Sequence, residues 1–426
     1  MQAVRACDFI PGKSAPAQIS TSSSPLFINP TSTPMTISSS PVDSTTAAKQ
    51  MDLYNRIDGD IVDYYVSANT NGKDWKTISQ KYKELIQKGL SQADFYLAMK
   101  QMVGELGDGS SYFLSPDEQA SLSAAATNEF MDIGATYVSF NDPSQTNYVL
   151  NWVFPGGPAD RAGLKSHDEI LKVDGGAFLD AAGMPHTLGP DGSSVTVTVD
   201  TPGQAPREVK MVRSRVSGTA IVDDCLVPGT GIGYIRWEKI SDPTVVDQTM
   251  DALTEMNGGS PLEGLVIDMR MNETPDIAIL QGLLSLFVGG ELGSFVSLRG
   301  NNTTPTLYMA NPVTDVSGSL DLPLVVIQDQ TTGEAALFGG LLQLLGRARI
   351  VGQTANGGAY LQYVDGFSDG SALYLANLAF QPRGEEAGYW DKTGVKPDVS
   401  VSGRWEQFSE ANDPYLAKAV ELLVKK

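Results

Sequence analysis

Between Gly231 and the last helix of this 426-residue chain, few side chains could activate a hydroxyl for attack on a carbonyl. The only lysines there are Lys239, Lys392 and Lys396, and there is no histidine. The loop Asp329-Gln330-Thr331-Thr332-Gly333-Glu334 does set two hydroxyls beside a carboxylate. A threonine–carboxylate pair of Thr331 or Thr332 with Glu334 is a weak couple, because a carboxylate is a poor base except at acidic pH. The competing assignment for Thr332 is the N-cap of the helix that follows. Two histidines, His167 and His186, are too few for a histidine-rich metal centre and read as surface residues. Two cysteines, Cys7 and Cys225, exclude a disulfide scaffold and a multi-cysteine zinc site. No metal or other cofactor is expected.

The elements that must position such groups fall into distinct textures. Residues 51–127 are helical, with apolar positions at three- and four-residue spacing through YKELIQKGLSQADFYLAMKQMVGEL and Ser91 as a helix start. Residues 128–213 break into short alternating runs such as TYVSF, NYVLNWVF and SSVTVTVDT between Gly, Pro and Asp turns, which predicts a small β-rich domain. From 214 to 405, strands and helices alternate. IGYIRW precedes a helix started by Asp242-Pro243, and GLVIDMR, PLVVIQD and GRARIVG are continuous apolar runs suited to strands covered on both faces. That alternation predicts an α/β fold with a twisted, mostly parallel sheet and flanking helices. Residues 406–426 end in an amphipathic helix, PYLAKAVELLVKK.

Thirty basic against fifty acidic residues give a net charge of −20, which argues against a nucleic-acid partner or an anionic membrane surface. Residues 1–50 are rich in Ser, Thr and Pro and are expected to be a disordered tether. Cys7 ahead of that tether is similar to the lipidated cysteine of bacterial lipoproteins, although no hydrophobic signal core precedes it and Arg5 fits the pattern poorly. The composition favours an extracytoplasmic, cell-envelope location, with Cys7 as a candidate lipid anchor.

The string Gly156-Gly157-Pro158-Ala159-Asp160-Arg161-Ala162-Gly163-Leu164 is a tight turn, a proline-started helical turn and a glycine stop leading into a strand. It resembles the signature of PDZ domains, with His167 in place of the usual glycine of the next turn. Upstream, Asp132-Ile133-Gly134-Ala135 is similar to their carboxylate-binding loop. That likeness implies peptide binding by the backbone of Ile133, Gly134 and Ala135.

The order of parts, from the helical segment ending in GDGSSYFLSP through the PDZ-like unit to GLVIDMR, PLVVIQD, GRARIVG and GVKPD, resembles the C-terminal processing peptidases, or tail-specific proteases. The resemblance implies a tail-specific-protease, crotonase-like core, an inserted PDZ-like domain, and serine-type endopeptidase activity on protein C-termini through a Ser–Lys dyad. Anchored on GRARIVG, the nucleophile position is Gly333 and the base position Gly358, 25 apart, and neither can do the chemistry. The oxyanion turn of the family is also replaced, by Met271-Asn272-Glu273-Thr274-Pro275 after Asp268-Met269-Arg270. No catalytic residue is therefore expected, and the reading is a pseudoprotease or envelope adaptor that binds peptides or protein C-termini. Two alternatives stand beside it. One is an active serine/threonine-type endopeptidase with a displaced nucleophile. The other is an apolar-ligand carrier lined by Leu337, Phe338, Leu341 and Tyr360, residues that a plain core reading also accommodates.

Overall fold

The computed structural model describes residues 5–9, 37–38, 40–125, 129–142, 145–180, 184–217, 221–238, 240, 242–272, 276–300, 307–311, 313–329, 335–355, 357, 359–391 and 393–424. Three helices open the folded part: α1 (Ser44–Tyr64), α2 (Trp75–Gln87) and α3 (Gln92–Gly104). Asp43, Asp74 and Ser91 cap them, each side chain accepting first-turn N–H groups. The short strand β1 (Tyr112–Leu114) and helix α4 (Pro116–Ala125) follow.

A mainly antiparallel unit comes next, made of β2 (Glu129–Asp132), β3 (Ala135–Asp142), β4 (Gln145–Val153), helix α5 (Pro158–Arg161), β5 (Glu169–Val173), β6 (Ser194–Asp200), β7 (Arg207–Val212) and β8 (Ser214–Ser217). Strands β3 to β7 pair in sequence order, with β3 at one edge, and β2 pairs with β8 as a separate ribbon. Alternation in SVTVTVD aims Val195, Val197 and Val199 into the core of this unit against Ile133, Leu150 and Leu164.

The remainder contains β9 (Val222–Leu226), β10 (Ile232–Trp237), α6 (Thr244–Asn257), β11 (Gly264–Asp268), α7 (Ile277–Ser285), β12 (Gly290–Val296) and β13 (Leu307–Asn311). It continues with β14 (Leu324–Gln328), α8 (Ala336–Leu344), β15 (Ala348–Gly352), β16 (Tyr360–Gly366), β17 (Ala372–Pro382), β18 (Val399–Ser400) and α9 (Pro414–Val424). The six-stranded sheet runs β18-β15-β14-β11-β10-β9. Its pairs are parallel except that of β10 with β9. Every residue of β11 and of β14 is buried, because helices cover both faces. Residues of α6, α7 and α8 pack on one face, while Tyr415, Leu416, Ala419 and Val420 of α9 pack on the other. Leu337, Phe338 and Leu341, the carrier candidates of α8, belong to that first core.

Two expectations for the N-terminal region change. Residues 51–127 do not end as a purely helical domain: β1 pairs with β17, and α1 to α3 share one core with Leu373, Leu375 and Ala379. Nor is all of 1–50 a tether. Helix α1 starts at Ser44, and Ala6 bridges Leu226 on the outer edge of β9. The stretch 10–36 lies outside the described residues. Cys7 is joined to Cys225 by a disulfide, so its sulfur is committed and cannot carry the lipid anchor envisaged for it. Among the described residues, no helix is long and apolar enough to cross a membrane.

Candidate functional site

In an open parallel sheet, the carboxyl ends of the strands form the crevice in which chemistry is done. Here β11, β14 and β15 are adjacent and parallel, so their carboxyl ends lie side by side. Asp268 closes β11 and is wholly buried. Its carboxylate accepts bonds from the Arg270 N–H (3.0 Å), from Arg270 Nε (3.0 Å) and from the Tyr234 hydroxyl (2.9 Å). Arg270 reaches Asp413 as well (2.6 Å) and is flanked by the rings of Trp405 and Tyr415 at 4.8 and 4.9 Å. Burial alone would push the Asp268 carboxyl up, but the charge and hydrogen bonds of Arg270 hold it below the usual carboxylate range. This network locks the start of the turn that follows β11. Met271 sits there at φ 66°, a left-handed conformation rare for a side chain of its kind. Asn272 then fixes the exit by accepting from Ile240 N–H (3.2 Å) and donating to the Trp237 carbonyl (3.0 Å).

At the end of β14, Gln328 donates through Nε2 to the carbonyls of Val395 (2.8 Å) and Gln353 (3.0 Å). Its Oε1 is buried with no hydrogen-bond partner among the described residues. Gly352 ends β15 so close to β14 that a Cβ would lie 1.9 Å from the Gln328 carbonyl oxygen; only glycine fits. The expected catalytic positions follow directly. Thr331, Thr332, Gly333 and Glu334, between β14 and α8, lie outside the described residues, as does Gly358.

The neighbours of Gly358 are informative. A Cβ at Gly357 would lie 2.3 Å from the Cβ of Trp390, and Ala355 and Val395 exchange backbone bonds at 3.1 Å. Tyr360, also among the carrier candidates, donates to Asp391 (2.6 Å). Trp390, Asp391 and Val395 therefore meet Gly357, Tyr360 and Ala355 respectively. Lys392 and Lys239 lie outside the described residues. Lys396 is exposed, and its carbonyl accepts from Gln343 near the far end of α8, about 10 Å along the helix from Ala336 at 1.5 Å per residue.

In the 129–217 unit, Ile133, Gly134 and Ala135 are buried between β2 and β3. Gly134 has φ 80°, and the carbonyls of Ile133 and Gly134 accept from Ala159 (2.7 Å) and Phe154 (3.0 Å). The Ile133 N–H donates to the side chain of Asp132 (2.7 Å).

His167 is not the surface residue that its polar turn suggests. It is 1% exposed, at φ 78°, and stacks on Trp405 with ring centroids 3.8 Å apart. Its Nδ1 lies 2.8 Å from the Trp405 carbonyl, an acceptor only, so Nδ1 carries the proton. Burial drives this imidazole well below its ordinary pKa and keeps it neutral. Arg236 also bridges the two units, donating to the Asn151 carbonyl (3.1 Å) and side chain. His186 is exposed. Nothing in the sequence near His167 marks its partner, 238 residues away.

The core is thus a two-sided α/β sheet with a buried Asp268–Arg270 pair at the end of β11 and helix α8 following β14. Residues 231–401 match the profile of peptidase family S41. The chain is similar to the carboxyl-terminal-processing protease of Synechocystis, 25% identical over 362 residues, covering 82% of this chain and 80% of that one. It is also similar to the chloroplastic C-terminal processing peptidase of Tetradesmus obliquus, at 27% identity with 79% and 74% covered. Among solved structures, the photosystem II D1 C-terminal processing protease shares the fold. Its TM-score is 0.55 at 24% identity, covering 84% of this chain and 93% of that one.

Proposed function

We propose that this protein is a polypeptide-binding member of peptidase family S41 that has lost hydrolysis. One observation carries the reading: glycine occupies both positions, 333 and 358, where the dyad of the family would stand. A peptide bond is not cleaved by the core without a nucleophile and a group to take its proton. The altered turn after Arg270 and the remote position of Lys396 point the same way. What remains is a surface for chains: the PDZ-like unit 129–217, with Ile133, Gly134 and Ala135 at its loop, beside the crevice of the core. The relatives named as carboxyl-terminal-processing proteases make polypeptides the natural ligand class. An extracytoplasmic compartment fits the Cys7–Cys225 bond, since disulfides persist where thiols are not kept reduced.

A second reading is favoured by one contact. Trp390 packs on Gly357, next in sequence to the position read for the base, so a hydroxyl of Thr331 or Thr332 displaced from position 333, with Glu334 or Lys392 to take its proton, is the form that residual peptidase activity would take. The test is a cleavage assay on an unfolded protein from pH 4 to 9, run beside a peptide-binding titration. Binding without cleavage supports the first reading. Cleavage that is abolished in Lys392→Ala or Thr332→Ala establishes the second.

A further inference from the structure

We propose that the 129–217 unit takes internal, extended segments of polypeptide along the open edge of β3 and rejects free carboxylate termini, and that Asp132 sets this preference. The inference rests on the polypeptide-binding reading above and specifies the chemistry of its ligand. A loop that holds a terminal carboxylate works by leaving successive backbone N–H groups unpaired and no negative charge nearby. Here the first of those N–H groups, that of Ile133, is already taken, and a carboxylate stands beside it. Asp132 is 2% exposed, and one of its oxygens already accepts from Ile133 N–H at 2.7 Å. The other accepts from the Tyr137 hydroxyl at 2.5 Å, and that hydroxyl contacts Thr187 Oγ1 at 2.8 Å. The side chain of Asp132 thus occupies the Ile133 N–H that would otherwise be open to a ligand's carboxylate, and Tyr137 of β3 holds it there.

The nearby positive charge does not relieve the conflict. Arg213 points its donors at the carbonyls of Thr187, His186 and Ser194 and at the Ser193 hydroxyl. A second carboxylate brought to the loop would meet a buried like charge in a poorly solvated place. A strand continuing past the loop brings only neutral amides. Among the described residues β3 pairs with β4 alone and stands at the edge of its sheet, so its outer N–H and C=O groups suit strand addition.

The experiment uses the full chain and a fluorescein-labelled twelve-residue peptide rich in alanine and valine, made as the free acid and as the carboxamide. Fluorescence anisotropy at pH 7.5 should give a dissociation constant at least tenfold lower for the carboxamide. Asp132→Asn should bring the acid to within threefold of the amide. Tyr137→Phe, which keeps Asp132 but removes one of its donors, should retain the preference for the amide. Tighter binding of the free acid by the unaltered protein overturns the inference while leaving the polypeptide-binding reading intact. No binding of either peptide overturns both.

Discussion

Reducing the Cys7–Cys225 bond should release the N-terminal strap and weaken the core. The bond closes a separation of 218 residues, and in the chain-entropy account such a loop stabilises the fold by about 5 kcal/mol at 25 °C. The other ties of the strap are weak by comparison. Cys7 and Leu226 supply two backbone hydrogen bonds, about 1 kcal/mol each. The exposed pairs Arg5–Asp223 and Lys165–Asp8 contribute below about 1 kcal/mol each. Burying Phe9, 3% exposed, adds about 2 kcal/mol. Ordering the five residues 5–9 costs about 5–10 kcal/mol, so without the covalent link the strap should detach. Urea unfolding followed by tryptophan fluorescence, with and without reductant, reads the stability loss, and Cys7→Ala should match the reduced protein. Hydrogen exchange at the Cys7 and Leu226 amides reads the detachment. A loss below about 1 kcal/mol, with both amides still protected after reduction, would refute the reasoning.

Further outcomes follow from the buried charges. Arg270→Met leaves Asp268 and Asp413 without their counter-charge and should cost about 3–5 kcal/mol in urea unfolding, with part recovered by adding Asp268→Asn. Asp60 on α1 is pushed up to about 7 by burial and by its neighbour Asp365. The folded state then holds a proton that the unfolded chain has lost, so stability should fall as pH rises from about 4 to 7 and level off above. Asp60→Asn should raise the melting temperature more at pH 8 than at pH 5, measured by scanning calorimetry; an equal gain at both would sink the assignment.

The elements of the core were legible because their signals are local. The runs GLVIDMR, PLVVIQD and GRARIVG carry their own burial, and Asp242, whose side chain accepts from Thr244 N–H at 2.9 Å, marks the start of α6. What escaped depends on distant partners. His167 looks polar in its turn, yet Trp405 covers it. Residues 112–114 read as the end of a helical region, yet Tyr112 pairs with Tyr374. The glycines at 333 and 358 were legible only through alignment to a family pattern, whereas Asp132 turning back on Ile133 N–H needed coordinates.

Mass-spectrometric mapping of an unfolded substrate, such as reduced and carboxymethylated lactalbumin, after long incubation with the protein from pH 4 to 9 tests loss of hydrolysis most directly. The predicted result is an intact substrate at every pH, with the protein still binding peptide. New termini that accumulate with the unaltered chain and vanish with Thr332→Ala or Lys392→Ala would contradict it.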